Sequence, residues 1–309
     1  VRCDAAPAGA THRRSRMSGD FAAALAAALG HEVAGAPEAA VHGGSINDCF
    51  RWQTSQGPVF VKRALLARRV MLDAEVDGLE RLRQAGALRV PAFLAIGSTN
   101  TEAFLVLEWL NLVEPDAASE EKFGEALAWQ HRNRAQAYGL ERSNFIGATE
   151  QPNDVSDDWI GFWRERRLVY QLDLAASNGH SGRLQDRGRR LAELMDVFFA
   201  SYRPAASLLH GDLWGGNRSV LADGTPVVFD PAVYCGDREA DIAMTTLFGG
   251  FGPRFYSAYA ATWPMDQAAG TRRALYNLYH VLNHLNLFGG SYRAQAEGMI
   301  DRLLAAAGH

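Results

Sequence analysis

The 309-residue chain has little lysine, little cysteine and no long hydrophobic run. Only two of its 31 basic residues are lysines, Lys62 and Lys122, so the position of each is informative. The three cysteines show no CxxC spacing, which argues against a disulfide framework or a zinc site and favours a reducing compartment, the cytoplasm. No apolar stretch reaches the ~18 residues that a membrane-spanning helix needs. A net charge of −4 argues against a nucleic-acid coat protein or a polybasic membrane binder.

The composition is otherwise that of an ordinary globular protein, with 48% hydrophobic and 21% charged residues. At roughly 150 residues per domain, the length corresponds to about two domains or one large bilobal domain. Residues 1–17 are polar, and we expect a disordered tail. The Ala-rich run over 21–29 predicts a helix that is capped by Ser18 or Asp20 and ended by Gly30.

The remaining patterns divide the chain into two unequal parts. The first part contains predicted strands over 40–44, 46–54, 58–63, 93–96 and 103–109, with one long helix over 67–85. The second contains predicted helices over 119–137, 157–177, 181–202 and, with breaks, 238–307, and short strands over 207–209, 219–221 and 227–230. Because strands and helices do not alternate regularly, the pattern predicts an α+β fold. We expect a small antiparallel-sheet lobe over 18–110 and a larger, mainly helical lobe over 111–309.

The most informative segment is His-Gly-Asp-Leu-Trp-Gly-Gly-Asn at 210–217, in a predicted loop between strands. An aspartate at the end of an apolar strand, Asp230, follows it. Phosphoryl transfer needs one carboxylate to orient the acceptor hydroxyl, and an asparagine and a second aspartate to hold Mg²⁺. Asp212 is therefore the candidate base, and Asn217 and Asp230 are candidate metal ligands. Pro231 departs from protein kinases, which have glycine there, and the alternative is a tight turn with a capping aspartate.

Lys62 provides an independent indication of a kinase. It lies on the third predicted strand, where a kinase uses a lysine to contact the α- and β-phosphates of ATP. Glu75 lies on the apolar stripe of the following helix, and a glutamate there is costly unless it is paired. Glu80, which lies off that stripe, is the alternative partner, and a solvated strand lysine is the alternative interpretation of Lys62.

Two further segments carry weaker signals for nucleotide binding. Backbone N–H groups of the loop containing Gly43, Gly44 and Ser45 could cover the phosphates, although a plain hairpin turn would have the same sequence. The residues that end the fifth strand occupy the position where a kinase connector hydrogen-bonds adenine through its backbone. These residues are Glu108, Trp109 and Leu110.

Several other polar or aromatic residues have two interpretations each. Trp214 could stack on the apolar face of a sugar or pack in the core. His210 is expected to brace the loop rather than to act as a base. Asp241 could accept backbone N–H bonds from that loop or cap a helix. His280 and His284 lie one helical turn apart, and we expect a polar substrate wall or a buried hydrogen-bond network rather than a zinc pair.

Taken together, these segments resemble the fructosamine kinase (ketosamine-3-kinase) family, within the aminoglycoside-phosphotransferase-like branch of the protein-kinase-like fold. The resemblance covers about residues 18–305. Its segments include GGSIN at 43–47, PVFVK at 58–62, NFIGATEQPN at 144–153, HGDLWGGN at 210–217, VVFDPAVYCGDREADIAM at 227–244 and NLYHVLNHLNLFGG at 277–290. Glu150 is a minor departure, since we would expect a proline there.

The resemblance implies ATP- and Mg²⁺-dependent phosphorylation of the 3-hydroxyl of a ketoamine, which is a sugar joined to an amine after glycation and rearrangement. It implies that Asp212 is the base, Asn217 and Asp230 bind Mg²⁺, and Lys62 binds phosphate with Glu75 as its partner. The unstable 3-phosphate would release the amine, which links the family to protein repair.

Bacterial-type members are expected to favour ribulosamines and erythrulosamines over fructosamines, and the acceptor could be a small molecule or a protein-bound adduct. We expect no nucleic-acid or membrane partner, and a monomer or weak dimer. Two alternatives remain open. One is a kinase of the same superfamily that acts on another alcohol, such as an aminoglycoside, choline or homoserine. The other is an inactive member that only binds nucleotide or partners.

Overall fold

A computed structural model describes residues 19–41 and 47–309. Within these ranges the strands are β1 (Ala39–Val41), β2 (Asp48–Thr54), β3 (Gly57–Leu65), β4 (Phe93–Ser98), β5 (Glu102–Glu108), β6 (Leu112–Val113), β7 (Asn144–Ile146), β8 (Thr149–Gln151), β9 (Ser207–Leu209), β10 (Arg218–Leu221), β11 (Pro226–Val228) and β12 (Tyr234–Gly236). The helices are α1 (Gly19–Leu29), α2 (Arg69–Ala85), α3 (Ala117–His131), α4 (Trp159–Trp163), α5 (Tyr170–Ser177), α6 (Arg183–Glu193), α7 (Glu239–Leu247), α8 (Pro253–Thr262), α9 (Ala269–Phe288) and α10 (Tyr292–Ala306). The predicted tail, the Ser18 cap and part of the first two predicted strands lie outside the described residues.

The N-terminal lobe is an antiparallel sheet in the order β1-β2-β3-β5-β4, with a helix on each face. Because successive side chains of a strand point to opposite faces, β3 serves two separate cores. Val59 and Val61 pack in the cluster that contains Phe21 of α1. Phe60 packs instead against the cluster that contains Leu79 of α2. The alternation places Lys62 on the α2 face of the sheet.

The C-terminal lobe is mainly helical, and its largest buried cluster joins α4, α5, α6, α9 and α10. Its short strands form three small antiparallel sheets, β11-β10-β6, β12-β9 and β7-β8. The α+β architecture predicted from the sequence, with a small sheet lobe and a larger helical lobe, is therefore confirmed. In the described part of the chain, no helix combines the length and apolar character needed to cross a membrane.

The chain on both sides of the predicted lobe boundary pairs with strands of the C-terminal lobe. Residues 112 and 113 form β6, which pairs with Leu221 and Val220 of β10 in the C-terminal lobe. Arg89, in the loop between α2 and β4, forms a parallel bridge with Val227 of β11. The Arg89 bridge therefore joins the N-terminal lobe to the C-terminal lobe, and the lobe boundary between residues 110 and 111 stays a prediction.

Three predicted helices differ from the observed ones. Helix α3 starts at Ala117 rather than at residue 119, because the Asp116 carboxylate caps it by accepting a hydrogen bond from Ser119 N (2.8 Å). The helix predicted over 157–177 contains a π-helical segment, Arg164–Val169, between α4 and α5. The helix predicted over 181–202 ends at Glu193 and is followed by a 3₁₀ segment, Met195–Phe199.

Gly124 lets α3 and α8 approach each other closely. A Cβ placed on Gly124 would lie 2.2 Å from Phe255 O and 2.9 Å from Tyr259 N, both main-chain atoms of α8. Main-chain atoms cannot move aside as a flexible side chain can. The packing of these two helices therefore requires glycine at this position.

We predict that Gly124→Ala lowers the free energy of unfolding by about 1–3 kcal/mol, the typical cost of overpacking a core. The matched control is Gly298→Ala in α10, where the nearest heavy atom to a new Cβ is Arg302 Nη1 at 3.7 Å. The control should gain about 0.5–1 kcal/mol, because glycine disfavours helix interiors. Thermal unfolding followed by circular dichroism measures both. A Gly124→Ala variant as stable as the parent would contradict the requirement.

Candidate active site

The loop over 210–217 connects β9 to β10, and its main chain is hydrogen-bonded to Asp241 of α7. One carboxylate oxygen of Asp241 accepts from His210 N (2.7 Å), and the other accepts from Gly211 N (2.9 Å). His131 Nε2 lies 3.1 Å from the same carboxylate. Burial opposes ionisation of Asp241, but these donors and the nearby histidines lower its pKa overall. The predicted bracing of the loop by Asp241 is confirmed.

His210 is buried, and both of its ring nitrogens form hydrogen bonds with main-chain atoms. Nε2 donates to Phe229 O (3.0 Å), and Nδ1 accepts from Asp212 N (3.3 Å). Burial lowers the pKa of His210 and keeps it neutral. The structural role predicted for His210 is therefore confirmed, and the ring connects the loop to the strand that leads into Asp230.

Asp212 and Asn217 lie side by side at the end of this loop. Asn217 Nδ2 donates to the main-chain oxygen of Asp212 (2.9 Å) and to its Oδ2 (3.1 Å). The same amide lies 3.4 Å from the main-chain oxygen of Asp230. Burial, with the Asp230 charge as the second cause, raises the pKa of Asp212 to about 7. The amide of Asn217 therefore joins both candidate aspartates.

Lys62, Glu75 and Asp230 form one ion cluster. Lys62 Nζ donates to both carboxylate oxygens of Glu75 (2.7 and 2.8 Å) and to Asp230 Oδ1 (2.7 Å). The side chains of Lys62 and Glu75 are 5% and 12% exposed, whereas that of Asp230 is 42% exposed. Burial alone would lower the pKa of Lys62, but the charges of Asp230 and Glu75 raise it overall.

The alternative interpretations of this lysine are wrong. Glu80 is paired with Arg83 (2.7 Å) on an exposed face of α2, so it does not contact Lys62. Lys62 is buried rather than solvated. Asp230 has a φ of +55°, a left-handed conformation that aspartate adopts more readily than most residues. The backbone at Asp230 therefore turns so that its carboxylate reaches the amine of Lys62.

These groups line a single cavity of about 680 Å³ between the lobes. The predicted site residues on its wall are Lys62, Glu75, Glu108, Trp109, Leu110, Asp212, Trp214, Asn217 and Asp230. The structure thus brings together every predicted site residue that it describes. Gly43, Gly44 and Ser45 lie outside the described residues, so their placement stays a prediction.

The connector residues take part in local contacts as well as lining the cavity. The Glu108 carboxylate accepts from Ala92 N (3.1 Å) and from Arg89, which fixes the entry to β4. Trp109 Nε1 donates to Asn111 Oδ1 (3.2 Å), and the Arg51 guanidinium lies 5.1 Å from the Trp109 ring. Both side chains therefore stabilise the connector.

Sequence reasoning gave no role to the β7-β8 hairpin, which holds the segment after Asp230. Asn144 Nδ2 donates to Val233 O (2.7 Å), and Gln151 Nε2 donates to Ala232 O (3.0 Å). Asn144 itself lines the cavity. The available signal was the cluster of amide side chains in NFIGATEQPN, since amides that are buried need partners.

The end of the cavity beyond Asp212 is aromatic. The rings of Trp214 and Phe248 meet edge to face at 6.0 Å, so Trp214 both lines the cavity and packs against its wall. Asn283 and His284 of α9 also line it, as expected of a polar wall, whereas His280 is buried behind them. Across the described residues, no three His, Cys, Asp or Glu side chains are grouped as a metal site.

Comparisons with known proteins identify the family. A model of the fructosamine kinase family matches residues 17–306. The chain is 39% identical over 274 residues to the "Probable ketoamine kinase" of Vibrio cholerae, which covers 86% of this chain and 91% of that protein. It is 37% identical over 267 residues to the "Protein-ribulosamine 3-kinase, chloroplastic" of Arabidopsis thaliana, covering 85% and 81% of the two chains.

The fold comparison agrees with the sequence comparison. A crystal structure from Haemophilus somnus, named "Putative fructosamine-3-kinase", superimposes with a TM-score of 0.82 at 29% identity. The match covers 92% of this chain and 96% of that one. Since the family model spans nearly the whole chain and the relatives are well above 30% identical, the resemblance found in the motifs is confirmed: the chain belongs to the fructosamine kinase family.

Proposed function

We propose that the protein is an ATP-dependent kinase that phosphorylates the 3-hydroxyl of ketoamines. The observation that carries the proposal is the meeting of the Lys62–Glu75–Asp230 cluster with Asp212 and Asn217 in one cleft. The names of the relatives, a ketoamine kinase and a protein-ribulosamine 3-kinase, support the acceptor class. Neither of these relatives is named as a kinase of an aminoglycoside, choline or homoserine.

The donor set suits Mg²⁺ carried by ATP. Asp230 Oδ1 contacts Lys62, and the Asp230 side chain is 42% exposed, so its carboxylate is partly open to the cleft. The Asn217 amide donates through Nδ2, which leaves its Oδ1 as an oxygen ligand. Mg²⁺ prefers oxygen ligands and usually takes one or two from the protein and the rest from phosphates and water. When bound, it would neutralise charge on the transferring phosphate.

Each of these residues would have a separate role in phosphoryl transfer. Lys62, held by Glu75, would contact the phosphates of ATP. Asp212 would orient the 3-hydroxyl and take up its proton as the O3–Pγ bond forms. The bond from Pγ to the bridging oxygen of ADP breaks, and ADP keeps that electron pair. The Asn217 amide, which bonds to both the main chain and the carboxylate of Asp212, would keep the base aimed at the acceptor.

The cellular setting is part of the proposal. Release of the amine from an unstable 3-phosphate would make the reaction a deglycation step that repairs glycated amines, including protein lysines. Cys49 and Cys235 are both free, which suits a reducing compartment such as the cytoplasm. We propose a monomer or weak dimer that needs no nucleic-acid or membrane partner.

A product assay tests the proposed function directly. Incubation with ATP, Mg²⁺ and a ribulosamine should yield ADP and one new phosphomonoester, which phosphorus NMR can assign to the 3-oxygen. Erythrulosamine and fructosamine should also react, and kanamycin, choline and homoserine serve as the competing acceptors. Faster phosphorylation of any of these three than of all the ketoamines would reject the proposal.

Asp212→Asn should reduce turnover by roughly 100- to 10,000-fold, the usual contribution of a general base. The affinity for ATP should stay nearly unchanged, because the base acts on the acceptor. The asparagine is nearly isosteric and keeps the main-chain oxygen that Asn217 bonds. Single-turnover rates and calorimetric ATP binding provide the two measurements. An equal loss of rate and of nucleotide affinity would contradict the role assigned to Asp212.

Lys62→Met should abolish turnover and also destabilise the fold, because it leaves the buried Glu75 carboxylate without its cation. Breaking a buried ion pair costs up to about 3–5 kcal/mol. The double variant Lys62→Met/Glu75→Leu removes both charges and should recover most of the stability but no activity. Thermal unfolding and turnover of the two variants test this. Full activity in Lys62→Met would show that the amine does not serve the nucleotide.

A further inference from the structure

Arg167 is a fully buried cation whose hydrogen-bond acceptors all belong to neutral groups. Its guanidinium donates to the main-chain oxygens of Pro152 (2.6 Å) and Arg166 (3.0 Å) and to Asn153 Oδ1 (2.7 Å). It lies in the π-helical segment Arg164–Val169, and such segments are rare and often occur at functional sites. Because a buried charge is costly, this arginine is a candidate for a role beyond packing.

Aromatic rings supply the rest of the compensation for this charge. The guanidinium carbon lies 4.8, 4.2 and 5.6 Å from the ring centroids of Phe162, Tyr234 and Tyr279. Aromatic faces attract cations. The rings therefore hold the guanidinium in one place, with its N–H groups directed at the oxygens of its neighbours.

A guanidinium can only donate hydrogen bonds, and this fixes the orientation of the amides that follow it. Since Asn153 Oδ1 accepts from Arg167, Asn153 Nδ2 faces the other way and donates to Asn144 Oδ1 (2.8 Å). Asn144 Nδ2 in turn donates to Val233 O (2.7 Å). Arg167 is thereby connected, through two buried amides, to the main chain three residues beyond Asp230.

A second branch of this amide network reaches the neighbouring carbonyl group. Tyr279 donates to Gln151 Oε1 (2.8 Å), and Gln151 Nε2 donates to Asn144 Oδ1 (2.8 Å) and to Ala232 O (3.0 Å). Ala232 N donates to His210 O (2.9 Å). Residue 232 therefore joins the network to the loop that carries the candidate base.

The backbone at Asp230 needs support of this kind. Its φ of +55° is a left-handed conformation. For a residue other than glycine, such a conformation costs free energy and persists only where the surrounding structure holds it. The carbonyl groups of Ala232 and Val233 are the anchors on the C-terminal side of this turn.

We propose that Arg167 and Asn153 are positioning residues for Asp230, and that the amide network holds its carboxylate towards the Mg²⁺ that ATP brings. Neither residue lines the cavity, so both act through the main chain after Asp230. This inference rests on the proposed function and adds to it the residues that set the metal requirement.

Asn153→Asp tests the network with a side chain of the same shape. The carboxylate keeps an oxygen for Arg167 but replaces the Nδ2 donor with an oxygen that faces Asn144 Oδ1. Asn144 must then turn around, and it loses its bond to Val233 O. The Mg²⁺ concentration for half-maximal turnover of ATP and ribulosamine should rise roughly 10- to 100-fold, the usual effect of removing an outer-shell partner.

Two further measurements do not depend on turnover. Calorimetry should show that the affinity for ADP without metal is unchanged in Asn153→Asp, whereas most of the gain in affinity on adding Mg²⁺ is lost. In the ligand-free protein, amide hydrogen exchange over residues 229–233 should be faster than in the wild type. Arg167→Met should also raise the Mg²⁺ requirement, and Arg167→Lys, which keeps a cationic donor, should restore part of it.

Gly124→Ala is the matched control, because it destabilises the fold by overpacking away from this network. It should keep the wild-type Mg²⁺ requirement. If Asn153→Asp keeps that requirement too, or if Gly124→Ala shifts it equally, the positioning role is overturned while the proposed function stands. A wild-type protein that phosphorylates no ketoamine and binds ADP equally with and without Mg²⁺ contradicts the proposed function, and this inference fails with it. Asn153→Asp keeps the bond from Arg167, so the test does not depend on whether Arg167→Met folds.

Discussion

The structure of the site depends on one buried amine. Lys62 is almost completely buried, and a buried cation is costly unless paired and hydrogen-bonded. Its two carboxylate partners come from α2 and from the loop after β11. The ion pairs of this one amine therefore hold together β3, α2 and that loop, which are far apart in sequence. Gly78 of α2 makes this possible sterically, because a Cβ there would lie only 3.2 Å from Pro231 and 3.3 Å from Val233. Helix α2 is thereby held against the segment that carries Asp230.

A second layer of buried polar groups holds the main chain around the chemistry. Asp241 accepts from the N–H groups at the start of the loop over 210–217, while Asn144 and Gln151 donate to carbonyl groups after Asp230. Tyr279 of α9 donates in turn to Gln151 (2.8 Å). A buried polar group without a partner destabilises the fold, whereas a fully hydrogen-bonded network makes the surrounding structure rigid. The two aspartates of the site therefore sit on backbone that has few alternative arrangements.

The aromatic end of the cavity, around Trp214, is held together differently. Gly215 and Gly250 bring two loops into main-chain contact, since a Cβ on Gly250 would lie 2.7 Å from Gly215 Cα. Arg218, the first residue of β10, donates to Gly250 O and pairs with the buried Glu120 (2.5 Å). This contact positions Phe248 against Trp214. Ion pairs therefore dominate around Lys62, whereas close glycine packing and ring contacts, with one buried ion pair, hold the segments around Trp214.

Local patterns in the sequence were enough to predict the two-lobe fold, the pairing of Lys62 with Glu75, and the loop that carries Asp212 and Asn217. Each of these predictions depends on strand or helix periodicity or on a short motif. Both kinds of pattern are defined by residues that are near each other in sequence. The π-helical segment within the helix predicted over 157–177 was not predictable. Nor were the ring contacts of Phe248 with Trp214 and His284, because these rings come from separate segments whose meeting depends on long-range packing. The sequence by itself determined which reactive side chains the chain carries. The tertiary structure decided which residues surround them, since contacts between segments far apart in sequence produce no periodic pattern.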